Sequence, residues 1–352
     1  MKLKGFSAAL NWPLLVGRVL FVAFLTGLLA YALWPWLPGL RAARPRTIVV
    51  YGFSILGEVM NDGIFPAFQA QHFDRSGERI EFISSFAGSG TITNQIILGV
   101  PAQVAVLSLE LDAQRLVEAR VLPTSTWLDL PHSGVLNRTP FIILVRRGNP
   151  KGIRGFSDLA NPGIGVVHAD PLTSGGAIWA LVAEYGSAAR ADPNSREAGS
   201  RMLLGIWRNV VAQAASARAA RTQFENGFGD ALITYEQEAL RDRARGKLKG
   251  DIVYPQSTIS SEHTVVVLDK NIERRERELV NEFVDFLWSD TAQGIFVQHG
   301  YRSVDEPLNV KNPSFGHIAD PFRIQDLGGW KRVRREIFEE IWKKRILPEV
   351  GR

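Results

Sequence analysis

Short runs of apolar residues recur along the chain from residue 47 onwards, and amphipathic stretches separate most of them. Such runs, bounded by turn-forming residues, predict buried β-strands, whereas the amphipathic stretches predict helices. Alternation of the two is typical of α/β proteins with largely parallel sheets, in which ligands bind at the carboxyl ends of the strands. The predicted strands span residues 47–51, 79–84, 104–107, 141–145, 164–167, 231–234, 252–254 and 264–267.

The C-terminal part of the chain has a helical pattern instead. Residues 274–288 and 290–298 predict two helices, and residues 330–345 predict a last one. In this last helix basic residues alternate with three glutamates, so a solvated face is a better interpretation than a partner site. Its apolar positions are Val333, Ile337, Phe338, Ile341 and Trp342.

The N-terminal segment differs from the rest, because residues 19–37 form an uncharged apolar run with basic residues on both sides. This length suffices to cross the hydrocarbon core of a bilayer. We expect a retained transmembrane signal anchor, with Trp34 and Trp36 at the far interface. The segment divides into a basic n-region at residues 1–18, the anchor at residues 19–38 and a linker at residues 39–46.

A cleaved signal peptide is the alternative interpretation of this segment. Ala30 and Ala32 have the small-x-small spacing that signal peptidase accepts. In either case the rest of the chain is periplasmic or otherwise extracytoplasmic. A retained anchor would tether it to the inner membrane.

The length and net charge of the chain narrow the classes of function that it can have. A chain of 352 residues is long enough for two domains or for one domain with two lobes. The formal net charge of +5 is no nucleic-acid signature, because Lys2, Lys4 and Arg18 of the acid-free N-terminal segment contribute three of the five excess charges. We therefore expect no nucleic-acid partner.

The sequence excludes thiol chemistry and disfavours a histidine metal site. The chain has no cysteine, which rules out disulfides, thiolate metal sites and a cysteine nucleophile. Its six histidines never approach one another at metal-ligand spacing. We expect neither a metal nor a cofactor.

Two glycine–serine elements carry the candidate chemistry. Ser174, Gly175 and Gly176 follow a predicted strand and precede a helical pattern, and Ser89, between two glycines, stands in the same context. The first turn of a helix has backbone N–H groups without intrahelical partners and the positive end of the helix dipole, so it can hold an anion without lysine or arginine. Glycine allows close approach, and serine adds a hydroxyl donor.

A serine-dependent hydrolase or transferase is the remote alternative. The sequence has no Gly-x-Ser-x-Gly elbow and no P-loop with its lysine. His168 precedes Ser174 by six residues, without a mechanical reason to act as its base. We therefore expect a binding protein and not an enzyme.

Three longer motifs have a counterpart in a known family. They are VRRGNPKG at residues 145–152, TSGGA at residues 173–177 and GDALITYEQEAL at residues 229–240. With them the chain resembles the sulfate and thiosulfate substrate-binding proteins of bacterial ABC importers. These belong to the two-lobed periplasmic-binding-protein class, which includes molybdate binders. The resemblance extends from about residue 47 to about residue 341.

The resemblance implies an α/β fold of type II with two lobes. Each lobe is a mainly parallel sheet flanked by helices, and the ligand lies in the cleft between them. Residues 141–145 and 262–267 are the expected crossings between the lobes. Lobe 1 would comprise residues 47–140 and 268–352, and lobe 2 residues 141–267.

The resemblance also implies an oxyanion held by backbone N–H groups, a serine hydroxyl and one aromatic donor, without a counter-cation. Two positions depart from the family, since Ser54 stands where it has an aspartate and Tyr235 where it has a tryptophan. A tyrosine hydroxyl donates but also accepts, which weakens strict selection of a fully ionised anion. The implied ligand-binding residues are Ser54, Ser89, Ser174, Gly175, Gly176, Ala217 and Tyr235.

The implied function is that of an extracytoplasmic solute-binding protein. It would act as a monomer that captures sulfate or thiosulfate and delivers it to the transmembrane subunits of an ABC permease. The alternative is a binder or sensor of the same fold for molybdate, tungstate or phosphate. The departures at Ser54 and Tyr235 favour keeping this alternative.

Overall fold

The computed structural model describes residues 12–33, 45–190 and 195–351. It divides into two units, of which the first ends at Arg46 and the second comprises Thr47–Arg352. Predictions that concern Lys2, Lys4, Trp34, Trp36 and linker residues 39–44 lie outside the described residues.

The first unit contains helix α1, Trp12–Leu33, which is 22 residues long. At 1.5 Å per residue it spans about 33 Å, close to the thickness of a bilayer core. Its window Val16–Leu33 is long and apolar enough to cross a membrane, and a signal sequence near the N-terminus would meet the same criteria. The apolar side chains of this window are exposed.

The second unit is a mixed α/β structure. Its strands are β1 Arg46–Phe53, β2 Ile80–Ala87, β3 Val104–Leu107, β4 Val135–Val145, β5 Val166–Ala169, β6 Val210–Ala214, β7 Ala231–Tyr235, β8 Asp251–Val253, β9 Ser257–Val267, β10 Arg302–Ser303 and β11 Asp320–Phe322. The order of hydrogen-bonded neighbours is β2, β1, β3, β9, β4, β7, β5, β6, with β8 and β10 paired to β4 and β11 to β9.

Helices follow most of the strands. They are α2 Gly57–Val59, α3 Phe65–Ser76, α4 Ser89–Ile97, α5 Glu110–Glu118, α6 Phe156–Leu159, α7 Gly175–Ala189, α8 Ser195–Arg208, α9 Ala217–Glu225, α10 Glu236–Ala244, α11 Arg277–Phe286, α12 Asp290–Gln298, α13 Glu306–Val310, α14 Gly329–Val333 and α15 Leu347–Glu349. Short 3₁₀ turns lie at Ser54–Leu56, Thr126–Asp129, Pro131–Gly134, Asp269–Asn271 and Ile324–Leu327, and wider π-type turns at Met60–Ile64 and Arg334–Ile346.

Two long strands connect two halves of this unit. The first half contains β1 to β3 with helices α2 to α5, and the second half contains β5 to β8 with helices α6 to α10. Within the halves, β1 pairs with β3 and β5 pairs with β6 and β7, all in parallel. Strands β4 and β9 run antiparallel to their neighbours in both halves. Each half therefore has a parallel set of strands whose carboxyl ends lead into helices.

All eight predicted strands are present, but two begin well before the predicted residue. Strand β4 begins at Val135 and β9 at Ser257, because their early parts pair with each other through polar positions that an apolar run does not mark. Arg138 and Glu262, for example, are paired across the two strands with a nitrogen–oxygen distance of 2.9 Å. Strands β6, β10 and β11 were not predicted.

The predicted C-terminal helices are present as well. The last one comprises α14 and the turns Arg334–Ile346, and Val333, Ile337, Ile341 and Trp342 are buried as expected, with Phe338 half-buried. Its charged residues pair along the helix, for instance Arg332 with Glu336. This pairing agrees with the interpretation as a solvated face.

Candidate anion-binding site

Three of the predicted residues start helices that directly follow strands. Ser89 is the first residue of α4 after β2, Ser174 caps α7 after β5, and Ala217 is the first residue of α9 after β6. Ser54 begins a 3₁₀ turn at the end of β1, and Tyr235 is the last residue of β7. These positions are the strand-to-helix connections at which α/β folds bind ligands.

The starts of α4, α7 and α9 are in contact. A Cβ atom on Gly88, the residue that caps α4, would lie 2.5 Å from the carbonyl oxygen of Thr173 and 2.8 Å from that of Ala215. The Thr173 hydroxyl in turn donates to the Ala215 carbonyl at 3.0 Å. Only glycine therefore fits at position 88, where the first half meets the second.

The contact brings unpaired backbone donors together. The first N–H groups of each helix have no intrahelical acceptor, and the three helix dipoles place positive partial charge at the same place. Gly175, Gly176 and Ala217 occupy first-turn positions whose N–H groups are of this kind. The seven predicted residues contribute no charged side chain, so the arrangement suits an anion that is held by dipoles alone.

The Ser174 hydroxyl has spare donor capacity. Its oxygen accepts from the Ala177 N–H at 3.4 Å, the long end of the hydrogen-bond range. This cap leaves the hydroxyl hydrogen for another acceptor. The side chain is buried, with 3% of the residue exposed, so a ligand that accepts this hydrogen would be shielded from water.

The Ser89 hydroxyl is already engaged. It donates to the Asp112 carboxylate at 2.6 Å and accepts from the Ser108 N–H at 3.0 Å. Burial raises the pKa of Asp112, although the bond from Ser89 and the charge of Arg115 act in the opposite direction. Ser89 would therefore meet an anion through its backbone N–H and not through its hydroxyl.

Tyr235 places its hydroxyl beside the start of α7. A Cβ on Gly176 would lie 2.8 Å from the Tyr235 hydroxyl oxygen, so the glycine permits this approach. The ring packs against Phe141 with 4.5 Å between ring centroids. Burial raises the pKa of Tyr235 above its ordinary value, and the phenol keeps its hydrogen.

Ser54 lies at the edge of the group and is half-buried. Its 3₁₀ turn packs against α9. Nearby Glu58 forms ion pairs with Arg218, Arg241 and Arg245 of the second half. Burial alone would raise the pKa of Glu58, but the three arginines outweigh it and the pKa is lowered.

Sequence reasoning missed Ser108 and Trp179. The Ser108 hydroxyl lies 2.8 Å from that of Tyr235, and the Trp179 indole N–H donates to the Ser108 carbonyl at 2.6 Å. Ser108 directly follows the predicted strand 104–107, so the rule that strand ends carry ligand contacts was a usable signal for it. No local pattern marked Trp179, which lies within α7.

Metal binding and serine catalysis have less support at this site. Within residues 12–33, 45–190 and 195–351, no group of three or more His, Asp or Glu residues is placed to hold a metal ion. Both ring nitrogens of His168 are engaged, one with the Ala169 carbonyl at 2.5 Å and the other with Glu184 at 3.0 Å. His168 is fully buried in that pairing and is not bonded to Ser174.

Comparison with known proteins agrees with this geometry. Residues 48–302 match the family model described as bacterial extracellular solute-binding protein. The chain is similar to the sulfate-binding protein of Synechococcus elongatus, at 30% identity over 303 residues that cover 84% of this chain and 85% of that protein. It is also similar to the thiosulfate-binding protein of Escherichia coli, at 30% identity over 287 residues that cover 78% and 82%.

A solved structure extends the likeness to the fold. The sulfate-binding protein SubI from Mycobacterium tuberculosis H37Rv is similar with a TM-score of 0.74 and 29% sequence identity. The match covers 82% of this chain and 98% of that one.

Proposed function

Because this chain belongs to the family of bacterial extracellular solute-binding proteins, we propose that its contacting helix starts bind sulfate or thiosulfate and that it delivers the anion to the transmembrane subunits of an ABC permease. The observation that carries this proposal is the contact between the starts of α4, α7 and α9 beside two hydroxyls, Ser174 and Tyr235. This donor set is uncharged, directional and buried.

The fold is the two-lobed α/β fold of type II, and we propose that the anion is enclosed when the lobes close. We assign residues 47–140 and 268–352 to lobe 1 and residues 141–267 to lobe 2. Strand β4 supports the first crossing, because it pairs with β9 up to Pro140 and with β7 from Phe141 onwards.

The second crossing lies within β9 in this proposal. Residues 264–267 of β9 pair with β3 of the first half. This pairing favours a crossing near Glu262, so the boundary of lobe 2 in this proposal moves from residue 267 to the beginning of the expected segment 262–267. The chain would therefore pass between lobes through two adjacent strands.

We also propose that the protein is a monomer tethered to the inner membrane by residues 19–38. Helix α1 supports the tether, because it carries no charged residue from Val19 to Leu33 and Arg18 directly precedes that run. The lobes would then remain in the periplasm, close to the permease.

A binder or sensor of the same fold for another tetrahedral anion is the second candidate. The Tyr235 hydroxyl favours it, because a hydroxyl that also accepts relaxes the selection of fully ionised anions. An enzyme has less support, since both His168 nitrogens are engaged away from Ser174.

Calorimetric titration of the full chain in detergent tests the proposal. The anions are sulfate, thiosulfate, molybdate, tungstate and phosphate, each added to a separate sample, with chloride as a control for non-specific ionic effects. Tight one-to-one binding of sulfate or thiosulfate is the expected result. Heat from molybdate or tungstate alone would leave the proposed fold standing and make that anion the ligand. Heat from no anion would refute the binding function.

A further inference from the structure

The Ser108 and Tyr235 hydroxyls form a buried pair with two hydrogens and one mutual hydrogen bond. Their oxygens are 2.8 Å apart, and either can be the donor. The pair therefore has two arrangements. When Ser108 donates to Tyr235, the Tyr235 hydrogen is available to a ligand. When Tyr235 donates to Ser108, a lone pair on the Tyr235 oxygen is available instead.

The pair lies over the two glycines that begin α7. A Cβ on Gly175 would come within 2.9 Å of the Ser108 hydroxyl oxygen, just as one on Gly176 would approach Tyr235. An anion that accepts hydrogen bonds from the N–H groups of these glycines is therefore within reach of the hydroxyl pair.

The position of Ser108 is fixed independently of its hydroxyl. Its N–H donates to Ser89, and its carbonyl accepts from the buried indole of Trp179. Both backbone bonds hold the Ser108 side chain against Tyr235, so the hydroxyl pair can reverse its direction without a movement of the backbone.

Building on the proposed anion-binding function, we propose that Ser108 and Tyr235 together determine which protonation states the site accepts and extend its ligands from sulfate to hydrogen phosphate. A sulfate oxygen receives the Tyr235 hydrogen while Ser108 donates to Tyr235. The P–OH group of hydrogen phosphate donates to the Tyr235 oxygen, whose own hydrogen turns to Ser108. A site of N–H donors alone would leave the P–OH hydrogen without an acceptor.

Sulfate and hydrogen phosphate are matched probes above neutral pH, because both are tetrahedral dianions and they differ by one hydrogen. Titrations of the full chain in detergent should give dissociation constants for the two anions within about tenfold of each other. Ser108→Ala removes the acceptor for the Tyr235 hydrogen. It should raise the dissociation constant for phosphate about tenfold and that for sulfate by no more than about threefold.

The control is Ser303→Ala, which removes a buried hydroxyl that donates to Gln293 at 2.7 Å, outside the proposed site. It should leave the ratio of the two constants unchanged. Tyr235→Trp substitutes a donor without acceptor capacity and should retain sulfate while losing phosphate, which answers the same question if Ser108→Ala does not fold.

Equal losses for both anions in Ser108→Ala would overturn the inference, as would a wild-type protein that binds sulfate but not phosphate. A wild-type protein that binds neither anion would contradict the proposed function instead.

Discussion

The hydroxyl of Ser174 combines two roles at the start of α7. Its oxygen accepts from the Ala177 N–H, which caps the helix, and its hydrogen is available to a ligand. The cap is long, so its contribution to folding is at the low end for helix caps, whereas a hydrogen bond to a charged acceptor is worth more than one between neutral groups. Binding should therefore depend on this hydroxyl more than folding does.

Ser174→Ala should weaken sulfate binding about ten- to a hundredfold, because a hydrogen bond to a charged oxygen is worth about 1.5–3 kcal/mol. The free energy of unfolding should fall by no more than about 1 kcal/mol. Titration and urea unfolding measure the two effects.

Ser289→Ala is the matched control for this change. Ser289 caps α12 through Ala292 at 3.2 Å and lies outside the candidate site. The Ser289 hydroxyl also donates to the Phe286 carbonyl at 2.7 Å, so this variant should lose at least as much stability while sulfate affinity stays the same. Equal affinity losses in the two variants would contradict the assignment of Ser174 as a ligand.

At the scale of elements, the site consists of helix starts, so its donors belong to the backbone and survive most side-chain changes. Proline is the exception, because it lacks the N–H group. It is tolerated at the first position of a helix, where that group has no intrahelical acceptor. A proline there removes one candidate donor while it preserves the helix.

Ala217→Pro makes this substitution at the first position of α9. Ser216 precedes it with an extended backbone, φ −154° and ψ 162°, which a following proline accepts. Sulfate affinity should fall about tenfold while the free energy of unfolding changes by less than about 1 kcal/mol. Asp290→Pro makes the same change at the start of α12, where affinity should not respond. Unchanged affinity in Ala217→Pro would remove Ala217 from the site.

An element was predictable from sequence where a continuous run of buried apolar residues marks it. The run 104–107 coincides with β3, which is buried at all four positions. Strand β6 was missed because its middle residues are partly exposed and include Gln213. The first part of β4 was missed because Arg138 is satisfied by Glu262, 124 residues further along the chain, and a local window does not contain that partner.

At the scale of the molecule, Glu58 connects the two halves. It lies just after β1 and pairs with arginines of α9 and α10, among them Arg241, whose side chain is 4% exposed. Removal of the carboxylate would leave that guanidinium with Asp242 as its remaining ion-pair partner in a largely dry environment. The contact between the two halves should therefore depend on the ionisation of Glu58.

Glu58→Gln should lower the free energy of unfolding by about 1–2 kcal/mol near neutral pH, between the effects expected for exposed and buried pairs. The pKa of Glu58 is below its ordinary value of 4.5 in the folded state. Its contribution is therefore fully present above 4.5 and is lost as pH falls through the lowered pKa. The difference between wild type and variant should thus shrink towards zero at acidic pH, as measured by urea unfolding across pH.

Glu118→Gln provides the comparison. Glu118 pairs with Arg334 at 2.9 Å, but both side chains are well exposed. Its substitution should change the free energy of unfolding by less than about 1 kcal/mol at any pH. A pH-independent difference for Glu58→Gln would show that the carboxylate does not act through its charge.

The structure places five of the seven predicted residues at neighbouring helix starts, with Ser54 in a 3₁₀ turn and Tyr235 at the end of β7; their role in binding stays a prediction. What sequence could not provide is the set of contacts across the two halves. Ser108 and Tyr235 are 127 residues apart, and Glu58 and Arg218 are 160 apart. Such pairs form only when the halves meet.

The uncharged donor set has a consequence for release. A dianion opposite a lysine or arginine would have to break one strong ion pair to leave, which is a single large barrier. In the proposed site the same charge would be divided among several N–H and O–H groups, each of which water could replace individually once the cleft opens. The residence time of the anion should then follow the rate of lobe opening, so a permease that pulls the lobes apart would obtain its cargo without further chemistry.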